Sequence, residues 1–326
     1  MESKSIIRGR FAPSPSGRMH LGNLFAALLA WLDVRSLGGE MLLRLEDLDT
    51  ARCRRVYASQ LAEDLRWLGL DWDVGWSEEA PQFAQSNRTA CYQEALEKLG
   101  DLGLLYPCWC SRKELLAASA PHETDGNRVY SGRCRLLSAQ KKAALEESGR
   151  APAWRIRVPE EEFTFTDENY GHCQENLARD CGDFIVRRSD GIYAYQLAVA
   201  VDDGRMGITR VVRGRDLLSS TPRQIWLMRQ LGYSAPVYGH VPLLLGDGTR
   251  RLSKRDRDLD MGVLRERYTP QKVLGFLGCL AGLLDRPEPV TARELIPLFS
   301  WEQVGTRDRL VENDWLLLHQ LGQQGL

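Results

Sequence analysis

The chain has 326 residues, 43% of them hydrophobic and 27% charged, with a formal net charge of −1. That length can bury a sizeable core and allows about two or three domains, while the near-neutral balance excludes a globally basic nucleic-acid binder and leaves only local patches for RNA. No apolar run approaches the roughly 20 residues of a membrane span and the start, MESKSIIRGRF, is too polar for a signal peptide, so an ordered, cytoplasmic, monomeric protein without membrane attachment is expected.

In chain order, Ile6 to Phe11 reads as a short buried strand, and Leu21, Leu24, Phe25, Leu28, Leu29 and Leu32 fall on one helix face. Gly38-Gly39 stops that helix, and Met41 to Leu45 reads as a second strand with Glu46 and Asp47 just past its end. The three pieces make a βαβ unit and imply a parallel sheet. Helices follow around Tyr57, Leu61, Leu65 and Leu68, and around Cys91, Ala95, Leu99 and Leu102. From Pro107 to about Gly182 the texture turns short, polar and rich in Gly and Cys, as an insertion would be. Sheet-like segments return at Gly191 to Val201 and Gly207 to Arg213, then a helix from about Pro222 to Leu231. After the basic stretch at 249–255 the remainder reads as helical, with Thr269-Pro270 as an N-cap and N1 pair and Thr291 with Glu294 at capping-box spacing.

The loop from Arg10 to Asn23 sits between strand and helix and holds prolines, serines, glycines and His20. Backbone N–H groups at a helix start carry partial positive charge, glycine lets a phosphate approach the backbone, and His20 can donate to an oxygen that gains charge in nucleotidyl transfer. Taken alone, the loop reads more readily as a Pro-rich turn with a surface histidine. Far downstream, Arg251-Leu-Ser-Lys254-Arg places a lysine suited to a polyphosphate on a short loop, although by itself it also reads as a solvated charged turn.

The pair resembles the HIGH and KMSKS signatures of class I aminoacyl-tRNA synthetases, in the right order and with a domain between them. The string RFAPSPSG resembles the glutamyl-tRNA synthetase branch, and the likeness runs from about Ile6 to about Met261. Two departures stand out: Asn23 replaces the second histidine of HIGH, and Arg251 and Arg255 replace the first Lys and last Ser of KMSKS. The resemblance implies an α/β protein with a Rossmann-like nucleotide-binding domain in two halves, 1–106 and 183–262, a zinc-containing acceptor-type insertion at 107–182 and a short helical region at 263–326. It implies a ligase that joins L-glutamate to ATP as glutamyl-adenylate with Mg²⁺ present. His20 and Lys254 carry the catalysis, and Pro13, Gly17, Gly22, Asn23 and Ser253 join them at ATP.

Selecting glutamate requires a buried acid for the α-ammonium and an arginine fork for the side-chain carboxylate. By resemblance Arg10, Ala12 and Ser14 line the glutamate pocket, Glu46 takes the ammonium, and Tyr195 and Arg213 complete it. Without the flanking signatures the same residues have plainer roles: Glu46 and Asp47 as caps, Tyr195 as a sheet aromatic, Arg213 as the partner of Asp202 or Asp216.

Five thiols, Cys53, Cys91, Cys173, Cys181 and Cys279, are scattered, whereas Cys108, Cys110 and Cys134 group in the insertion. A zinc ion would staple so loop-rich a segment, and His122 is the usual chemical choice of fourth ligand. The pattern Cys-x-Cys followed by Tyr-x-x-x-Cys resembles a family site in which tyrosine is that ligand, which maps onto Tyr130. Three reduced thiols without metal are the alternative.

The stretch from Lys254 to Leu326 is too short for the anticodon-binding region of a full glutamyl-tRNA synthetase. The chain therefore resembles the truncated glutamyl-Q tRNA(Asp) synthetases, which implies transfer of glutamate to the queuosine base in the anticodon of tRNA(Asp). Arg133, Arg135, Arg187, Arg188, Arg215, Arg255 and Arg257 are candidates for RNA phosphates, although for any one of them a solvated surface charge is the commoner role. Two other readings stay open: a minimal synthetase charging the 3′ end of tRNA(Glu), and a catalytically silent RNA-binding paralogue.

Overall fold

The computed structural model describes residues 6–111, 129–246 and 260–311. The expected site residues Ser253 and Lys254, together with Arg251, Arg255, Arg257 and His122, lie outside them.

The N-terminal half begins β1 (Arg8–Phe11), α1 (Leu21–Ser36) and β2 (Glu40–Leu43), with β1 and β2 parallel in the register Arg10 to Leu42. This is the expected βαβ unit. Its helix buries more than the one face that its leucines suggest, since Trp31, Asp33 and Val34 are also covered. Helix α2 (Arg55–Trp67), the short strand β3 (Val74–Gly75) and α3 (Thr89–Asp101) complete the half.

Strand β4 (Leu105–Cys108) opens the stretch expected as an insertion, followed by α4 (Ala139–Glu147), β5 (Ala153–Ile156), the hairpin β6 (Glu162–Asp167) with β7 (Gly171–Asn176), and β8 (Phe184–Arg187). Strands β4, β5 and β8 form a separate antiparallel sheet. The β6–β7 hairpin falls inside 107–182 in sequence but extends the main sheet, because β6 pairs parallel with a strand of the second half.

That half carries α5 (Tyr195–Arg205), β9 (Arg210–Gly214), a 3-10 turn at Arg215–Ser220, α6 (Thr221–Leu231) and β10 (Val237–Val241). Gly191 to Val201, expected as sheet, is instead a turn leading into α5. Its apolar run is continuous because Leu197 to Asp203 are all buried, and a fully buried helix shows no 3.6-residue alternation to distinguish it from a central strand. The main sheet has the order β3-β2-β1-β9-β10-β6-β7, parallel except for the β6–β7 hairpin. Parallel sheets need cover on both faces, and α1 packs its apolar side chains against one of them.

The last described elements are β11 (Leu244–Leu245), α7 (Met261–Arg267), α8 (Pro270–Leu280), α9 (Ala292–Leu295), α10 (Trp301–Val304) and β12 (Arg309–Leu310), which pairs with β11. Thr269 caps α8 with Pro270 at its first turn, and Thr291 with Glu294 closes a capping box on α9. Trp301 reaches back to donate to Asp33 on α1 at 2.9 Å, tying the C-terminal helices to the core. Among the described residues no helix is long and apolar enough to cross a membrane.

Candidate active site

The signature loop lies along the carboxyl ends of β1 and β2, the crevice where open α/β sheets bind ligands. Backbone bonds hold it down: Arg44 N–H donates to Phe11 O at 3.0 Å, Glu46 N–H to Pro13 O at 3.0 Å and Arg54 N–H to Pro15 O at 3.0 Å. Gly17 turns the chain at φ 153°, a region that favours glycine. His20 is the N-cap of α1, and a Cβ on Gly22 would sit 3.1 Å from its imidazole Cε1, so glycine leaves room for the ring over the helix start. Asn23 Oδ1 accepts from His20 N–H at 3.2 Å, so the residue that departs from HIGH closes the helix cap. Met261 N–H donates to Met19 O at 2.9 Å, bringing α7 against the same loop.

A cavity of about 410 Å³ opens here, lined among others by Arg10, Ala12, Pro13, Ser14, Gly17, His20, Gly22, Asn23, Glu46, Tyr195 and Arg213. The expected glutamate and nucleotide residues that are described therefore meet in one place, from elements far apart in sequence. The volume suits a small polar ligand with a nucleotide.

Beneath the cavity lies a buried charge network. Arg44, fully buried, donates to Asp203 at 2.7 Å and stands 3.5 Å from Glu46 and 3.7 Å from Asp202. Asp202 also accepts from Gln85, Arg88 and the Tyr92 hydroxyl, at 2.9, 2.6 and 2.8 Å. Arg10 donates to Val212 O at 3.2 Å, and its Nε, which makes no hydrogen bond among the described residues, is 3.6 Å from Asp203. Burial pushes the Glu46 carboxyl up to about 7, against the opposing pull of Arg44 and Arg10. Burial also raises the Tyr195 phenol and lowers Arg10.

Arg213 is held differently. It donates to His240 Nε2 at 3.1 Å, Gln224 Oε1 at 2.7 Å, Thr221 Oγ1 at 2.8 Å and Leu217 O at 3.3 Å. Asp202, its plainer candidate partner, belongs instead to the Arg44 network, and Asp47 accepts from Ser86 N–H and Oγ–H at 2.8 and 2.7 Å.

Arg44, Asp202, Asp203 and His240 were not among the residues expected at the site. A signal for three of them was present: an arginine inside the apolar strand MLLRL and two adjacent aspartates ending an apolar run are costly unless paired.

In the inserted stretch the Sγ atoms of Cys108, Cys110 and Cys134 lie within 4.8 Å of one another. The Tyr130 hydroxyl is 3.6 Å from Cys108 Sγ and 3.7 Å from Cys110 Sγ, Cys110 and Cys134 are 3.4 Å apart, and Cys134 N–H donates to Tyr130 Oη at 2.9 Å. Ligands around one tetrahedral zinc stand about 3.5–3.8 Å apart, a spacing these three side-chain contacts approach. Burial pushes the Cys110 thiol up to about 12 and raises the Tyr130 phenol as well. Such groups shed their protons readily only to a cation set among them. Arg155 supplies a charge from outside, stacking 3.7 Å from the Tyr130 ring centroid and donating to Cys108 Sγ at 3.3 Å.

Residues 6–313 match the family described as tRNA synthetases class I (E and Q), catalytic domain. The chain is 50% identical to a glutamyl-Q tRNA(Asp) synthetase of Symbiobacterium thermophilum over 92% of this chain and 94% of that one. It is 46% identical to another so named from Nitratidesulfovibrio vulgaris, over 95% and 97%. Among solved structures it is similar to a glutamate tRNA ligase from Elizabethkingia meningosepticum in complex with its amino acid, at 26% identity and TM-score 0.79, covering 98% of this chain and 70% of that one. The chain belongs to the class I tRNA synthetase family whose members serve glutamate and glutamine.

Proposed function

We propose that the protein activates L-glutamate with ATP as glutamyl-adenylate and transfers the glutamyl group to the queuosine base in the anticodon of tRNA(Asp). The observation that carries this reading is the cavity that sets Arg10, Arg213 and a half-buried Glu46 against the His20 end of α1, matching a side-chain carboxylate and an ammonium beside a phosphate. The name these relatives share, glutamyl-Q tRNA(Asp) synthetase, supports the acceptor.

Glu46 accepts from the substrate ammonium, with Tyr195 and the Ala12 to Ser14 backbone beside it, and Arg10 and Arg213 face the side-chain carboxylate. The α-carboxylate attacks the α-phosphate of Mg²⁺-bound ATP in line, forming the acyl–phosphate bond and releasing pyrophosphate. His20, the α1 N-terminus and Lys254 stabilise the charge that builds on the phosphates, while Pro13, Gly17, Gly22, Asn23 and Ser253 shape the nucleotide site. A hydroxyl of the queuosine cyclopentene ring then attacks the activated carbonyl and AMP leaves. Cys108, Cys110, Tyr130 and Cys134 hold one structural zinc, which ties the insertion together and takes no part in the chemistry. On this reading 1–106 and 183–262 form the catalytic halves around a zinc-containing insertion at 107–182 whose β6–β7 hairpin joins the main sheet, and the helices α7 to α10 follow.

Glutamate-dependent exchange of pyrophosphate into ATP, without any tRNA, is the test. Exchange is expected in the wild type and falls by about 100- to 1,000-fold in His20→Ala, the usual cost of one charge-stabilising donor. No exchange from the folded wild type would leave only a silent RNA-binding paralogue.

A further inference from the structure

We propose that Asp167 and His240 are positioning residues that fix Arg213 as a fully charged carboxylate receptor; this rests on the glutamate-binding role proposed for Arg213.

Arg213 and His240 are register partners on the parallel neighbours β9 and β10, so their side chains leave the sheet side by side. Arg213 Nε–H can only donate, hence His240 Nε2 must offer its lone pair and the imidazole proton sits on Nδ1. That proton is given to Asp167 Oδ2 at 2.6 Å. Asp167 Oδ1 accepts three backbone N–H groups, from Asn169 and Tyr170 at 3.0 Å each and from His240 at 3.2 Å. Both oxygens therefore face donors, which only the ionised carboxylate accommodates. With both side chains 0% exposed, water cannot substitute for any partner.

The consequence falls on Arg213. Its four acceptors are an imidazole, an amide, a hydroxyl and a backbone carbonyl, all uncharged. They stop the fork from swinging without neutralising it. A carboxylate placed directly on the guanidinium would hold it as well but would compete with the incoming substrate carboxylate. The interposed imidazole passes on the orientation imposed by Asp167 and keeps that carboxylate one side chain away. Arg10 is the contrast, because Asp203 stands only 3.6 Å from it. Tyr238 flanks the pair, with the guanidinium 5.4 Å from its ring centroid and the His240 ring at 11° to its plane. The controlling carboxylate comes from the β6–β7 hairpin, so a piece of the inserted stretch sets the geometry of the glutamate pocket.

Asp167→Asn tests this through the tautomer. An asparagine that keeps its oxygen on the three backbone N–H groups turns its NH₂ toward His240 Nδ1, which forces the ring proton onto Nε2 and into the Arg213 Nε–H. In pyrophosphate exchange, KM for glutamate is expected to rise about 10- to 100-fold, the worth of a hydrogen bond to a charged group, with kcat and KM for ATP nearly unchanged. Preference for glutamate over glutamine shrinks in parallel. His240→Asn keeps a donor for Asp167 but removes the acceptor for Arg213 and shows the same loss; His240→Gln places an amide oxygen near the Nε2 position and recovers most of the affinity. Should Asp167→Asn not fold, the His240 pair carries the test. Folded variants with wild-type KM for glutamate, or equal rises in both KM values, overturn the proposal. An Arg213→Lys variant with unchanged KM for glutamate would instead remove the glutamate role of Arg213 itself.

Discussion

The Glu46 cavity and the Cys108 cluster are both built from polar groups withdrawn from water, yet they balance that cost in opposite ways. Around the cavity Arg10 and Arg44 meet Asp202, Asp203 and Glu46, so opposite charges are supplied by the chain itself. In the cluster three thiols and a phenol converge with one arginine stacked outside them. The first site is balanced by charges within the chain, whereas the second gathers donors that could hold a cation. Preorganised charge suits catalysis by the first kind of construction; tying together a loop-rich insertion needs only the second.

Removing the cation should break the comparison most visibly. Cys134→Ser is expected to abolish binding of one zinc per chain, measured by metal analysis, and to destabilise the protein by more than about 4 kcal/mol, the range reached when a structural metal is lost. Exchange activity per folded molecule should survive. Equal stability of wild type and variant in a chelator and in added zinc would mean that the cluster stands unaided, like the cavity.

A smaller effect sharpens the other half of the comparison. Because burial raises Glu46 from 4.5 to about 7, the folded protein holds a proton there that the unfolded chain has released between those values. Glu46 therefore costs stability progressively as pH rises through that window, and Glu46→Gln should gain in melting temperature relative to wild type more at pH 8 than at pH 5. Activity runs the other way: the carboxylate form receives the ammonium, so wild-type kcat/KM for glutamate rises with pH around 7. The same profile in Glu46→Gln would assign that titration elsewhere.

Much of this was legible in the sequence because the relevant signals are local. The α1 leucines, the proline and glycine loop before it, Glu46 at a strand end and the Thr291 capping box each announce themselves within a few residues. What escaped notice is non-local or lacks a period. Helix α5 is buried on all sides, so Tyr195 to Val201 shows no amphipathic stripe and its β-branched valines suggest a strand. Asp167 and His240 meet across 73 positions through pairing of the hairpin with β10, which no spacing rule anticipates. The partners of Arg44 likewise become visible only when β2 and α5 are folded together.

The most direct measurement is transfer of labelled glutamate to tRNA(Asp) carrying queuosine and to the same tRNA without it. Label on the queuosine-containing RNA alone, stable when the 3′ end is removed, is the predicted result. Equal labelling of the two RNAs, or label confined to the 3′ end of tRNA(Glu), would contradict it.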